Sequence, residues 1–363
     1  MIQPTLEPAS ITVNGRFLSQ SMTGVQRYAH ELLNALDSLL SNGQIEPVPV
    51  TVVAPPDVES FPPWRRLRTR RAGRFTARLW EQLDLARLAR GTLLFTPCGG
   101  APLLHDRQVV TIHDAAPFTT PRAYSPVYRT YYKTLQRLLA RRTSHLLTVS
   151  QFSKAELVRA LRVPESKVSF FWLSGEHILR AKSDDTLIER NHLAPGKYVL
   201  AVGSDNPNKN TRGLVEAFSH LQDLDLTLVI AGGANTAVFG KAGRIAGPVK
   251  LFGMVSDAEL RSLYEHAACF VSPSFYEGFG LPPLEALTLG TPIVVSRAAS
   301  LPEIFGDAAV YCDPHSPRDI ADRIRDIFEG APNREAARSY ASRFTWERCA
   351  RETWAVLQNA LRL

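Results

Sequence analysis

Two kinds of pattern alternate along the chain. Short, nearly continuous apolar runs of strand length recur at 11–18, Val48–Ala54, Thr92–Thr96, Gln108–Ile112, Leu146–Val149 and Val168–Trp172. Between them lie stretches in which apolar residues return every three or four positions. Tyr28, Leu32, Leu33, Leu36 and Leu40 form one such stripe, and the segment Tyr128–Leu139 after Pro126 forms another. Strands buried on both faces read as continuous apolar runs, and parallel strands need long crossovers, usually helical. The pattern therefore predicts a Rossmann-like α/β sheet. A second series follows at Tyr198–Val202, Leu226–Ile230, Val249–Phe252, Ala268–Val271, Pro292–Val295 and Ala309–Cys312, with helices over most of 317–361 and a polar, glycine-rich loop and helix at Thr236–Gly247. Two such units are expected, residues 1–180 and 181–345, with a last amphipathic helix from Trp346 onward.

Composition narrows the class. A chain of 363 residues with 45% apolar and 21% charged residues can bury two ordinary cores. Cys98, Cys269, Cys312 and Cys349 are scattered, without disulfide density or metal-ligand spacing. The first ten residues lack the basic and apolar regions of a signal peptide, and no apolar run is long enough to span a membrane, so a cytoplasmic protein is expected.

The net charge of +7 equals the local excess of one segment, Phe61–Arg90, where nine arginines face Glu81 and Asp84. Such a run is a solvated face, an anionic membrane surface contact or a polyphosphate site. Nucleic acid is not the expected partner, since neither interleaved stacking aromatics nor a groove-reading helix is evident. Trp64, Leu67, Phe75, Leu79, Trp80 and Leu83 intersperse the arginines. They suit an interfacial amphipathic element, or packing on their own domain.

The candidate chemistry sits at strand ends. Hydride transfer is set aside because neither half offers a G-x-G-x-x-G turn after a strand. The richest stretch is F-Y-E-G-F-G-L-P-P-L-E-A-L-T-L-G-T-P at 275–292. Gly278 and Gly280 let the backbone approach a ligand, and the Phe279–Leu281 amides point to a helix start where an anion is favoured. Glu277 and Glu285, eight residues apart, would both face the mouth above the strands. Lys209 enters a helix from G-S-D-N-P-N-K-N and offers a mobile charge, in a chain with eight lysines and 34 arginines. His113 and Asp114 end another strand, where the histidine can donate to a ligand hydroxyl or phosphate oxygen and the aspartate can orient it or cap. Gly24, in T-G-V-Q-R-Y, is a phosphate-loop candidate or a plain helix start. Asp223-Leu-Asp225 precedes a strand and reads as a turn, so no divalent ion is implied.

The E-x7-E spacing of Glu277 and Glu285, set in E-G-F-G-L-P-x-L-E-A, resembles the signature of retaining glycosyltransferases of family 4. The resemblance implies the GT-B fold: α/β, two Rossmann-like domains facing each other across a cleft. Residues 1–180, completed by the helix 346–363, would be the acceptor side, and 181–345 would bind the nucleotide-sugar donor. Lys209 and the 279–281 amides would stabilise the leaving diphosphate. Glu285 would bind ribose hydroxyls, Glu277 sugar hydroxyls, and His113 the sugar near the anomeric centre, with the Gly24 loop facing the diphosphate. Asn208 stands where the family carries arginine, so Arg27 or another base would supplement Lys209.

The stretches 19–28 and 277–286 also resemble mannosyltransferases using GDP-mannose, with UDP-, ADP- or dTDP-sugars left open. The acceptor implied is a saccharide, either linked to a polyprenyl diphosphate at the inner membrane face or soluble. No permanently bound cofactor and no metal are implied. Front-face attack is favoured over double displacement, and an inactive scaffold is the remaining class.

Overall fold

A computed structural model describes residues 10–203, 206–233 and 248–362. Ser204 and the loop expected at Thr236–Gly247 lie outside the described residues. The chain divides into two units, one of Met1–Leu173 with Trp346–Leu363 and one of Ser174–Thr345.

The first unit holds seven parallel strands: β1 (Ile11–Asn14), β2 (Val50–Ala54), β3 (Arg68–Arg71), β4 (Leu93–Thr96), β5 (Gln108–Thr111), β6 (His145–Thr148) and β7 (Val168–Phe170). Their order is β3-β2-β1-β4-β5-β6-β7. Ile11 is registered against Val50 on one side and Leu93 on the other, which makes β1 a central strand. Helix α1 (Gly24–Ser41) buries Tyr28, Leu32, Leu33 and Leu36, the stripe the periodicity predicts. Two further helices are α2 (Pro126–Arg142) and α3 (Gln151–Leu161), the latter capped by Ser150 accepting from the Ser153 amide.

The second unit holds β8 (Tyr198–Val202), β9 (Thr227–Ala231), β10 (Val249–Phe252), β11 (Cys269–Ser272), β12 (Ile293–Ser296) and β13 (Val310–Cys312), in the order β10-β9-β8-β11-β12-β13. Its helices include α4 (Thr211–Phe218), α5 (Asp257–His266), α6 (Leu281–Thr288) and α7 (Pro317–Glu329). Ser256 and Glu259 close a reciprocal capping box at the start of α5. The core between α4, α7 and the sheet joins Leu214, Phe218, Leu228, Ile320 and Ile324. The last helix, α8 (Trp346–Arg362), belongs to the first unit and packs on α1 with Trp354 and Leu357 buried.

Three expectations change. The strand read at 11–18 stops at Asn14, whose Oδ1 takes the Arg16 amide and starts a 3-10 turn over Gly15–Ser19. A Cβ at Gly15 would stand 2.7 Å from the Val53 carbonyl oxygen, so glycine is needed there. The boundary falls at Leu173/Ser174 rather than at 180. The cause is Gly175, where a Cβ would meet the Leu284 carbonyl oxygen at 2.7 Å and the Glu285 nitrogen at 2.9 Å, so the linker already lies on α6 of the second unit.

Finally, the arginine segment is not one amphipathic element. Arg68–Arg71 form an edge strand, where charge guards unpaired backbone groups, and the Asp37 carboxylate accepts the amides of Arg65, Arg66 and Leu67. Leu67 and Trp80 are buried in their own unit, while Phe75, Leu79 and Leu83 remain exposed.

Candidate functional site

In a doubly wound sheet ligands lie outside the carboxyl ends of the strands, where the order reverses. In the second unit the reversal falls between β8 and β11. The loop after β8 carries Lys209 and the loop after β11 carries Glu277, and Lys209 Nζ donates to Glu277 Oε1 at 2.7 Å. The lysine side chain is 26% exposed and the glutamate 13%, so the pair is shielded but reachable. The two loops are fastened together. Asn210, in left-handed backbone at φ 53°, caps α4 and donates Nδ2 to the carbonyls of Pro273 and Pro314, while the Phe275 amide donates to the Asn208 carbonyl. Asn208 is therefore a buried loop member.

Gly280 precedes α6 at φ 97°, where a Cβ would strike Leu301 at 2.7 Å. Glycine is required there by both conformation and space. Pro282 and Pro283 occupy the first turn of α6 and bring no N–H, so the anion-facing donors of this helix start narrow to the Gly280–Leu281 region. Phe279 and Leu281 are buried, and the Glu277 carbonyl accepts from Ser300 Oγ at 2.9 Å.

Glu285 is held by partners of its own. It is 6% exposed, accepting from Tyr264 Oη at 2.8 Å and from His177 Nε2 at 3.0 Å. A carboxylate oxygen only accepts, so His177 Nε2 carries the proton. Burial, then the charge of Glu285, pushes the Tyr264 phenol well above its usual range, which keeps it a donor. Neither His177 nor Tyr264 had a local sequence signal; the first sits in the 3-10 turn Glu176–Arg180 and the second on α5.

In the first unit His113 follows β5. Its Nε2 lies 3.1 Å from the Pro97 carbonyl oxygen, and its ring meets Tyr28 edge-on at 4.8 Å. Burial holds its pKa down at about 4, so the ring is neutral with Nε2–H engaged. The nitrogen left to a ligand is Nδ1, an acceptor. A ligand reaching Nδ1 would meet an acceptor, whereas the donor expected from the sequence is spent on the Pro97 carbonyl. Asp114 caps the following short helix through the Ala116 amide. Gly24 opens α1 with open space where a Cβ would stand, and Arg27 lies 3.7 Å from Glu31.

A further cluster had no sequence forecast. Glu81, 3% exposed, takes Arg16 Nη1 at 2.7 Å and Asn14 Nδ2 at 2.9 Å.

Residues 184–344 match the model described as glycosyl transferases group 1, and residues 22–171 match the model of glycosyltransferase family 4. Over 265 residues the chain is 35% identical to the O-antigen chain mannosyltransferase B of Escherichia coli, covering 68% of this chain and 69% of that one. The chain belongs to the family 4 glycosyltransferases. This family 4 chain is also 26% identical over 356 residues to the O-antigen chain mannosyltransferase RfbU of Salmonella typhimurium, covering 92% of this chain and 96% of that one.

Its two-domain GT-B fold is that of sucrose-phosphate synthase from Thermosynechococcus elongatus, with TM-score 0.75, 18% identity and coverage of 96% and 98%. The Anabaena protein HepE, solved with UDP and glucose, gives a TM-score of 0.68 at 16% identity, with coverage of 96% and 99%. The family 4 chain is thus an enzyme, a hexosyltransferase that moves a sugar from a nucleotide-sugar donor to a saccharide acceptor. Among the described residues no group of three or more His, Cys, Asp or Glu is arranged to hold a metal ion, and no helix is long and apolar enough to cross a membrane. Asp223, of the D-L-D turn, is paired with Arg325.

Proposed function

We propose that the chain transfers a hexose with retention, and that Lys209 and Glu277 are the heart of its donor site. The observation that carries this reading is their 2.7 Å ion pair at the β8/β11 reversal. The lysine ammonium brings three donors, of which Glu277 takes one, and a diphosphate needs such a charge as its bond to the sugar breaks. The Gly280–Leu281 backbone adds amide donors. Glu277 accepts from sugar hydroxyls, and Glu285, oriented by His177 and Tyr264, from the ribose. In front-face attack the C1–O bond to diphosphate breaks. The acceptor oxygen bonds C1 on the same face, and its proton passes to a diphosphate oxygen. Double displacement would instead need a carboxylate within bonding reach of C1.

The finer assignment is mannose from GDP-mannose, supported by the mannosyltransferase names of the relatives. A lipid diphosphate-linked acceptor at the inner face of a membrane would suit arginines 65–90 and the exposed Phe75, Leu79 and Leu83. A UDP-, ADP- or dTDP-sugar is the alternative donor, and a soluble acceptor is a second reading that a specific observation favours. Half of the arginine segment is architecture, with Leu67 and Trp80 buried and Arg68–Arg71 in a sheet edge.

The test is donor turnover over UDP-, GDP-, ADP- and dTDP-sugars with lipid extract or soluble glycosides as acceptor. Lys209→Ala and Glu277→Ala should each lower kcat/KM by roughly a hundredfold or more. Unchanged turnover in either variant rejects the assignment of the site, and label confined to water-soluble product rejects the lipid acceptor.

A further inference from the structure

The strand order of the first unit also reverses, between β1 and β4. The side chains gathered at that reversal have no part in the donor chemistry above. Asn14, the last residue of β1, donates Nδ2 to Glu81 Oε1 at 2.9 Å and to the Gly100 carbonyl at 3.1 Å. Arg16 Nη1 donates to Glu81 Oε2 at 2.7 Å. Glu81 lies on a π-helical turn, Trp80–Leu85, a distortion common at functional sites. That turn is held to the loop after β4 by Gln82, which donates to the Ala101 carbonyl and accepts the Leu103 amide. The Glu81 carboxylate rests on bare backbone, since a Cβ at Gly100 would stand 3.0 Å from one of its oxygens.

One helical turn earlier, Arg78 lies 4.2 Å over the ring of Tyr131 and 5.3 Å over that of Tyr132, both on α2. Burial raises the Tyr131 phenol above all, and the charges of Arg78, Glu81 and Arg16 act on it, so ring and ion pair are within electrostatic reach of each other.

We propose that Arg16, Arg78, Tyr131 and Tyr132 form a subsite for a neutral pyranose of the acceptor, with Glu81 and Asn14 as positioning residues for Arg16. The proposal rests on the reading that this chain glycosylates a saccharide, and adds where that saccharide is held. Charge guides the choice of ligand class. Glu81 neutralises Arg16 at 2.7 Å, so the pair presents guanidinium N–H groups with little net charge. Hydroxyls suit such donors, and the second cation, Arg78, faces the Tyr131 and Tyr132 rings, so the phosphatidylglycerol arm of the test below decides between a hydroxyl and a phosphate ligand. The half-buried tyrosine rings are fixed yet meet solvent, and combine an apolar face with a polar handle, as the two sides of a pyranose require. The side chain of Arg16 is 18% exposed against 4% for Glu81, so the arginine touches the ligand and the glutamate orients it. Arg78, exposed, holds the rings and adds donors at their rim.

The experiment uses the full chain and two probes. Saturation-transfer NMR with methyl α-D-mannopyranoside, methyl α-D-glucopyranoside and N-acetylglucosamine reports saccharide contact. Calorimetry with GDP and UDP on the same samples reports the donor site. At least one glycoside should bind, and Tyr131→Ala and Arg16→Ala should weaken it roughly tenfold, with Tyr131→Phe close to wild type and nucleotide affinity unchanged. Glu81→Gln should give an intermediate loss, as its amide still accepts from Arg16 without fixing its charge.

Glycoside signals indifferent to all these variants, or no glycoside signal at all, overturn the proposal while nucleotide binding stands. Loss of nucleotide binding in wild type marks failure of the donor assignment instead. If the substitutions abolish binding to phosphatidylglycerol vesicles and leave glycoside contact intact, the patch is a lipid contact and the subsite is rejected. Tyr131→Ala, on a half-buried ring, keeps the test open should Glu81→Gln fail to fold.

Discussion

At the residue scale, the candidate site is assembled from side chains far apart in the sequence. Lys209 and Glu277 each end a strand in a recognisable loop, and the fold joins them at 2.7 Å. Glu285 was readable as a carboxylate, but its partners His177 and Tyr264 come from segments 108 and 21 residues away, with nothing nearby to mark them. Asn14, Arg16 and Glu81 were hidden in the same way, and Glu81 read merely as a counter-charge to arginines. A buried carboxylate held by two donors loses about 1.5–3 kcal/mol when a charged hydrogen bond is removed. His177→Ala and Tyr264→Phe should therefore raise the donor KM roughly tenfold with kcat less affected, and His177→Gln, which still offers an N–H, should recover most of it. Initial-rate kinetics against donor concentration decides; an unchanged KM would make the cluster a packing feature alone.

His113 carries a pH signature. Its pKa in the folded chain is about 4, against 6.5 in the unfolded chain, so between these values the unfolded chain binds more protons. Stability is then lost as pH falls from about 6.5 toward 4, with about 3 kcal/mol as the ceiling for this half-buried ring. His30, His105 and His145 are also lowered by burial and share the slope, so the difference between wild type and His113→Gln isolates one ring. Denaturant titrations from pH 4 to 7 should show a shallower acid loss in the variant.

At the element scale, period and run length placed the strands of both sheets except β3 to within a few residues, because strands buried on both faces leave little choice of side chain. What failed was where polar side chains or geometry override pattern. Asn14 ends β1 by capping a 3-10 turn, and the arginine-rich β3 has no apolar run to reveal it, since an edge strand is chosen for charge. The linker is the sharpest case. Glycine at 175 looks like an ordinary loop residue, yet it lies against the α6 backbone beside Glu285. Gly175→Ala must push the linker away from α6, costing roughly 1–3 kcal/mol by overpacking and disturbing His177 two residues on. Thermal melts and donor KM should both move. A variant that melts lower with donor KM unchanged would separate the packing role of this glycine from any hold on Glu285.

At the scale of the whole molecule, the chain leaves the first unit at Leu173, builds the second, and returns at Trp346. The amphipathic periodicity of 346–361 was visible in the sequence, whereas its destination was not a matter of local pattern. Helix α8 lies on α1, burying Cys349, Trp354, Leu357 and Ala360. The first unit is thus closed by the last residues of the chain, and each unit has its own sheet and core, so unfolding need not be a single two-state event. Trp354→Ala removes a side chain 2% exposed and should cost about 3–5 kcal/mol, confined to the first unit. GDP or UDP should stabilise the second unit by mass action through the Lys209–Glu277 site. Calorimetric scans should therefore resolve two transitions in the variant: a lowered one indifferent to nucleotide and a second one raised by it. A single transition, lowered by the substitution and raised by nucleotide to the same degree, would mean instead that the two cores melt as one cooperative body, with α8 contributing to the stability of the whole chain.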